Sequence, residues 1–203
     1  MLSLKVGGFN LNIHIDAKDL KVFDSLLNGG VSYLEYGSGG STLYALDKKI
    51  PFIVSVENDL DWKQKVEKEV SSKNLEKQLF EYIFIDMGEI SSWGKPLIVN
   101  IEKTKEYVEK AWTFFKNKNP SIVLIDGRFR VACFIECLAH LNNTSSTIVF
   151  DDYCNRSYYR LFEDIIKPSF IGERLALFQN ICLSEEDITL LKRKQETYFG
   201  DLR

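Results

Sequence analysis

The sequence predicts an α/β fold: a doubly wound, mostly parallel sheet with helices on both faces. Three observations predict it. Short apolar runs of strand length alternate with stretches patterned at helical spacing. Each of the first five runs leads to a carboxylate. The first run is followed by a glycine-rich turn that opens directly into a helical pattern. Continuous apolar runs are the mark of strands covered on both faces, and strands alternating with helices imply right-handed crossovers.

The elements follow in order. Leu20, Phe23 and Leu27 predict a helix ahead of the first strand, Val31–Leu34. Ser41–Lys48 reads as the next helix and Phe52–Val56 as the second strand. Trp62, Val66 and Val70 repeat at four, and Tyr82–Ile85 is the third strand. Val108, Ala111, Trp112 and Phe115 follow the i, i+3, i+4, i+7 pattern of one helix face. Ile122–Ile125 is the fourth strand; Val131, Ile135, Leu138 and Leu141 mark the helix after it. Thr147–Phe150 is the fifth strand and Arg174–Phe178 a sixth. Ser184 before Glu185, Glu186 and Asp187 reads as an N-cap with an acidic first turn, and Lys192, Arg193 and Lys194 suit the far end of that helix dipole.

At 203 residues the chain fits one domain, 1–203, with residues 1–30 as an N-terminal extension and helix. The net charge is −3 and the pI near 5.6. That balance argues against a nucleic-acid partner, and no apolar run approaches the ~18 residues of a membrane span. The N-terminal residues lack the apolar core of a secretion signal, so a soluble, cytoplasmic protein is expected. The four cysteines form no CxxC pair and read as buried reduced thiols; His14 and His140 read as structural.

The segment Tyr33-Leu-Glu-Tyr-Gly-Ser-Gly-Gly-Ser-Thr42 is the strongest functional signal. Glycines let a ligand approach the backbone, and the N–H groups at a helix start favour anionic or carboxylate-bearing ligands. A nucleotide-type cofactor across the carboxyl end of a parallel strand is expected. The dinucleotide fingerprint needs Gly or Ala at its sixth position. Counted from Gly37 that position is Thr42, so the nicotinamide pattern fails there. Glu35, Glu57, Asp86, Asp126 and the pair Asp151 and Asp152 stand at successive strand ends, which in an open α/β sheet line one rim. Glu57 lies 22 residues after Glu35, the spacing of a carboxylate that accepts from both ribose hydroxyls.

The form acidic-x-Gly-x-Gly-Gly at Glu35–Gly40, with these strand-end acids, resembles the class I S-adenosylmethionine-dependent methyltransferases, from Val31 to Tyr153. The resemblance implies their Rossmann-like fold and S-adenosylmethionine as cofactor. It implies that Glu57 holds the ribose, that Asp86 and Met87 meet the adenine, and that Gly37, Ser38, Gly39, Gly40, Ser41 and Thr42 pass under the methionine moiety while Glu35 orients that loop. Asp126 would contact the methionine ammonium. Ile125-Asp-Gly127 with Val149-Phe-Asp-Asp-Tyr153 resembles the small-molecule O-methyltransferase branch. Many relatives there carry Asp-Gly-x-His; this chain has Asp126-Gly-Arg-Phe-Arg130, with no His. Asp126-Gly-Arg-Phe-Arg-Val-Ala-Cys133 with Trp93-Gly-Lys-Pro96 resembles a subgroup of methyltransferase-like proteins.

The resemblance also implies a magnesium site at Asp126, Asp151 and Asp152; the alternative is that Asp126 meets the cofactor while Asp151 or Asp152 caps a loop. Asp126, Asp151 and Lys95 are the candidate bases. The interval from Asp86 to Asp126, 40 residues against 22, 29 and 25 elsewhere, holds a loop-like insertion at 88–103 on the substrate side. Trp93 in it covers a substrate or anchors the loop. Lys95, Arg128 and Arg130, with Arg156 and Arg160, form a cationic pocket for an anionic small-molecule acceptor, or pair with the neighbouring acids. The function expected is methyl transfer to a small acceptor. The alternatives are a binding protein that keeps the fold without catalysis, and a nicotinamide oxidoreductase.

Overall fold

The computed structural model describes residues 11–28, 30–72, 79–116 and 118–202. The first ten residues of the expected extension at 1–30 lie outside them, as does Gly29. The sequence folds in the order α1 (Ala17–Leu26), β1 (Ser32–Tyr36), α2 (Gly40–Asp47), β2 (Phe52–Glu57), α3 (Leu60–Ser72) and β3 (Leu79–Phe84). A small hairpin follows, β4 (Ile90–Ser91) and β5 (Lys95–Pro96). Then come α4 (Ile101–Glu109), α5 (Trp112–Phe115), β6 (Ile122–Ile125), α6 (Arg130–Leu141), β7 (Thr147–Phe150), β8 (Phe170–Ile171), β9 (Ala176–Phe178) and α7 (Glu185–Tyr198).

The main sheet has seven strands in the order β3-β2-β1-β6-β7-β9-β8. Pairing is parallel from β3 through β7; β9 runs antiparallel to both its neighbours. The strand order reverses at β1, the topological switch at which open α/β sheets leave a crevice beyond their carboxyl ends. Two cores flank the sheet. Tyr33 faces one, built with Phe23 of α1, Leu43 of α2 and Val66 of α3. Leu34 and Tyr36 face the other, built with Val108, Trp112, Phe134 and Leu191 of α4 to α7. The alternation within β1 is the pleat expressed as two buried faces.

Several expectations shift. β1 extends through Glu35 and Tyr36, so this acid lies inside the strand, fully buried, rather than after it. The helix read from Val108 to Phe115 is two helices: Lys110 and Ala111 keep helical dihedrals, but Thr113 and Phe114 bond to carbonyls three residues back. The sixth strand is the antiparallel β9, and its partner β8 is too short to show a period. Ser184 caps α7 as expected, accepting from Asp187 N at 3.1 Å. Lys192 instead sits mid-helix, where its ammonium pairs with buried Glu136 of α6 at 2.6 Å. The N-terminal helix is fastened to the far edge by buried Asp19, whose carboxylate accepts the N–H groups of Glu173, Arg174 and Leu175 at 2.8–3.0 Å.

Candidate functional site

The carboxyl edge around β1 is organised by two buried carboxylates. Glu35 points into the α2 side of the sheet. It accepts from Tyr33 Oη at 2.9 Å, Ser41 Oγ at 2.8 Å and Ser55 Oγ at 2.7 Å, and from the Thr42 hydroxyl. Thr42 Oγ1 in turn accepts from Gly39 N at 2.8 Å. One side chain thus ties β1 and β2 to the first turn of α2. Burial pushes its carboxyl up to about 7, against the pull of the four hydroxyls.

Glu57 closes β2. Its Oε2 accepts from Ser38 N at 3.0 Å and Ser38 Oγ at 2.9 Å; its Oε1 accepts from Asn58 N at 2.7 Å and Asp59 N at 2.9 Å. Burial raises its proton affinity as well. Ser38 is held from two further sides: Trp62 Nε1 donates to its carbonyl at 2.6 Å, and its hydroxyl meets Tyr82 Oη. The glycines between these anchors are spacers for close approach. Gly37 has φ +90°, and a β carbon on it would stand 2.6 Å from the Cα of Gly127 in the β6–α6 turn. A β carbon on Gly40 would run into the backbone of Asn12 and Ile13, which crosses the start of α2.

Glu35, Gly37, Ser38, Gly39, Gly40, Ser41, Thr42 and Glu57 therefore form one connected group, and the Gly37–Gly127 contact joins it to Asp126. Asp126 N donates to Tyr36 O at 3.0 Å, continuing the β1–β6 ladder. Asp86 and Met87 follow the edge strand. Asp86 is exposed and accepts from Gly88 N at 2.9 Å, whereas Met87 is buried in the core. The hairpin β4–β5 is clipped to the end of β2: Asn58, itself buried, donates from Nδ2 to Gly94 O at 2.6 Å. This hairpin presents Trp93 at φ +63° and 79% exposed, its ring edge-on to His14 at 6.5 Å. Trp93 therefore does not anchor the loop in the core. Lys95 is exposed on the same hairpin.

The acids at the ends of β6 and β7 depart from expectation. Arg130 reaches Asp126 Oδ1 at 2.8 Å and both Asp151 Oδ2 and Asp152 Oδ2 at 3.3 Å. Arg174 contacts Asp151 Oδ1 at 2.9 Å, Asp151 Oδ2 at 2.5 Å and Asp152 Oδ1 at 2.9 Å; Arg156 contacts Asp152 Oδ2 at 2.7 Å. The three acids expected to hold magnesium face guanidinium groups instead of an open oxygen cage. No cluster of ligating side chains suited to a metal occurs among the described residues. The magnesium expectation is corrected on that ground. Asp151, 2% exposed and doubly paired, is withdrawn as a base. Arg130 is withdrawn from the acceptor pocket because its donors are spent internally. Arg156 pairs with Asp152, and Arg160 lies 3.9 Å from Glu163. Arg128 differs: its guanidinium meets the Leu202 carbonyl, its Nε is buried without a partner, and it forms no ion pair among the described residues. Burial and neighbouring Arg130 lower its proton affinity.

Asn58, Trp62, Tyr82, Tyr107 and Arg174 were missed from sequence. None belongs to a local motif. Tyr107 of α4 is fully buried, with its hydroxyl pressed against Gly127.

A sheet ordered in this way, with its penultimate strand reversed and a glycine turn at the switch point, is the class I S-adenosylmethionine-dependent methyltransferase fold, and the chain has that fold. A methyltransferase-like protein from Silicibacter pomeroyi is similar over 91% of this chain and 96% of its own, at 24% identity and a TM-score of 0.71. A methyltransferase from Pyrococcus furiosus is similar over 86% of this chain and 91% of its own, at 12% identity and a TM-score of 0.50. These likenesses are of fold. No protein-family model matches the chain, and no curated protein does.

The exclusion of nucleic acid drawn from the acidic balance is withdrawn. A Streptococcus pneumoniae protein provisionally named a tRNA (m1A22) methyltransferase is also similar, over 91% of this chain and 82% of its own, at 16% identity and a TM-score of 0.49. No helix among the described residues is long and apolar enough to cross a membrane.

Proposed function

We propose that this chain is an S-adenosylmethionine-dependent methyltransferase acting on an anionic acceptor, a small molecule being the reading favoured from sequence. One observation carries the cofactor assignment. At the topological switch, a glycine turn wired by Glu35 from behind and Glu57 from beneath is pressed against a second glycine turn at Asp126-Gly127. Such a cradle leaves backbone N–H groups and carboxylates, rather than side-chain bulk, to meet a ligand.

The residues fit an adenosyl group. Glu57 would take a ribose hydroxyl on Oε2 in exchange for the Ser38 hydroxyl, which already has Tyr82 as a second partner, while Ser38 N stays on that oxygen. Asp86, exposed beyond β3, and the backbone at Met87 would meet the base. Glu35, Gly37, Ser38, Gly39, Gly40, Ser41 and Thr42 shape the floor under the amino-acid end, with Asp126 beside it. When bound, the sulfonium supplies an activated methyl group. The chain's own work is to align donor and acceptor and to take up a proton. Asp126, 30% exposed where Asp151 is 2%, is the proposed base, and Lys95 on the hairpin the second candidate. Arg128 supports the anionic acceptor, being a half-buried cation that has no carboxylate partner among the described residues. Trp93 would cover that acceptor.

A non-catalytic binding protein is the second reading, favoured by the pairing of Asp151 and Asp152 with arginines. Calorimetric titration with S-adenosylhomocysteine, S-adenosylmethionine and NAD tests the cofactor: binding of the first two is expected, and binding of NAD alone overturns the reading. Release of S-adenosylhomocysteine on incubation with acceptor pools, small-molecule and RNA, then separates turnover from binding and one acceptor class from the other.

A further inference from the structure

We infer that Arg130 and Arg174 stand in for a divalent cation at the ends of β6 and β7, so that this site carries its own counter-charge and takes no magnesium. The account is one of lone pairs and charge. Of the six oxygens of Asp126, Asp151 and Asp152, five lie within 3.3 Å of a guanidinium nitrogen: Asp126 Oδ1 and both oxygens of the other two. Magnesium demands near-octahedral oxygen ligands at about 2.0–2.1 Å, which these carboxylates meet only by giving up their arginines.

Arg130 is not free to leave. Its Nε donates to Gly127 O at 3.0 Å, and its terminal nitrogens donate to Asp126 O and Asp151 O, each at 2.8 Å. Displacing it strands three main-chain carbonyls together with the carboxylates. The residue is 9% exposed, and so is Arg174, so water replaces those bonds poorly. Three arginines, counting Arg156, face the three carboxyls, and Asp126 and Asp151 also share a hydrogen bond, which needs a proton between two carboxyls. A divalent ion would bring two further positive charges into a set with no negative charge in excess.

The placement gives Arg130 a positioning role. It holds the carbonyls of both Asp126 and Gly127, and so fixes the turn that Gly37 packs against. For acceptors, a point that rests on the methyl-transfer reading, the consequence is a class. Two adjacent oxygens able to chelate a cation confer no advantage here, and acceptors are aligned by side chains alone.

Manganese(II), a paramagnetic substitute for magnesium, tests this when titrated into the full chain with water-proton relaxation as readout. Wild type is expected to show no site up to about 1 mM, and its melting temperature is expected not to move with magnesium or with EDTA. Because Arg174 alone still covers both oxygens of Asp151 and one of Asp152, the variant that uncovers the acids is the double one. Arg130→Ala with Arg174→Ala is expected to melt lower and to regain part of that loss on adding manganese, as the uncovered carboxylates take a cation. Manganese binding by wild type that disappears in Asp151→Asn overturns the inference, as does a double variant indifferent to manganese. Should the double variant fail to fold, Arg130→Lys replaces it. That variant keeps one positive charge and is expected to stay silent to manganese; binding there overturns the inference. Affinity for S-adenosylhomocysteine is measured on the same samples. Wild type that binds neither ligand upholds the guanidinium substitution while refuting the cofactor reading.

Discussion

Gly37 and Gly127 pack back to back, so that a β carbon on either falls within 2.7 Å of the other's backbone. Two turns separated by ninety residues of sequence meet main chain to main chain, with the Tyr107 hydroxyl beside them. Gly127→Ala is expected to cost about 1–3 kcal/mol, the usual penalty of overpacking. Gly37→Ala costs more, because its φ of +90° is strained for any L side chain. Urea unfolding measures both. Tyr107→Phe removes the hydroxyl that a Gly127 methyl would strike. The pair Gly127→Ala, Tyr107→Phe should therefore destabilise less than the sum of its singles, and strict additivity would contradict the contact.

Glu35 predicts a pH slope. Its carboxyl is raised from 4.5 to about 7 in the folded protein. The native state then holds a proton that the unfolded chain has lost, so stability falls as pH rises from the unfolded value through the folded one. The integrated effect is roughly 3 kcal/mol. Glu57, raised by the same cause, adds a slope of the same sign. Glu35→Gln should flatten most of the decline seen in chemical denaturation between these limits. An unchanged slope would show that the wild-type carboxyl is ionised throughout.

Glu136 predicts the opposite slope in acid. Its carboxylate accepts from Lys192 at 2.6 Å and Gln195 at 2.8 Å, and it lies 3.1 Å from His140 Nε2. These partners bring it from 4.5 down to about 2, overriding burial. A depressed acid stabilises the fold above its unfolded pKa, and that contribution is lost as pH falls through the folded one. Glu136→Gln should remove up to about 3 kcal/mol at pH 7 and almost nothing near pH 2. Guanidinium unfolding at the two pH values reads the difference, and α7 should loosen first because Lys192 and Gln195 both belong to it.

Asn58 predicts a local effect. Its amide holds the Gly94 carbonyl, so Asn58→Ala should release the hairpin from β2 at a cost of about 1 kcal/mol. Hydrogen exchange should quicken over residues 89–97, with β1 and β6 unchanged. Uniform quickening across the sheet would mean that the amide supports the whole fold rather than the hairpin.

Much of this architecture was legible. Ile122–Ile125 and Thr147–Phe150 are strands with the expected ends, because four buried residues in succession, all apolar but Thr147, leave few alternatives. The turn at Glu35–Thr42 was legible because glycine spacing, a helix start and an acid act locally. Two kinds of feature were hidden. β4, β5 and β8 are two residues long, shorter than any period that sequence can show. The partners of the acids were hidden as well. Asp151 looked like a ligand because Arg174, 23 residues away, becomes its neighbour only when β9 turns back beside β7. Trp62 and Tyr82 looked like core stripes, and they are, but each also turns a polar atom toward Ser38.

The crossing of Asn12 and Ile13 over Gly40 ties two stretches of sequence together. While that leading segment runs where it does, position 40 admits no side chain. Chains of this architecture whose leading segment takes another route are released from glycine there, so the two features should be kept or lost as a pair when sequences diverge.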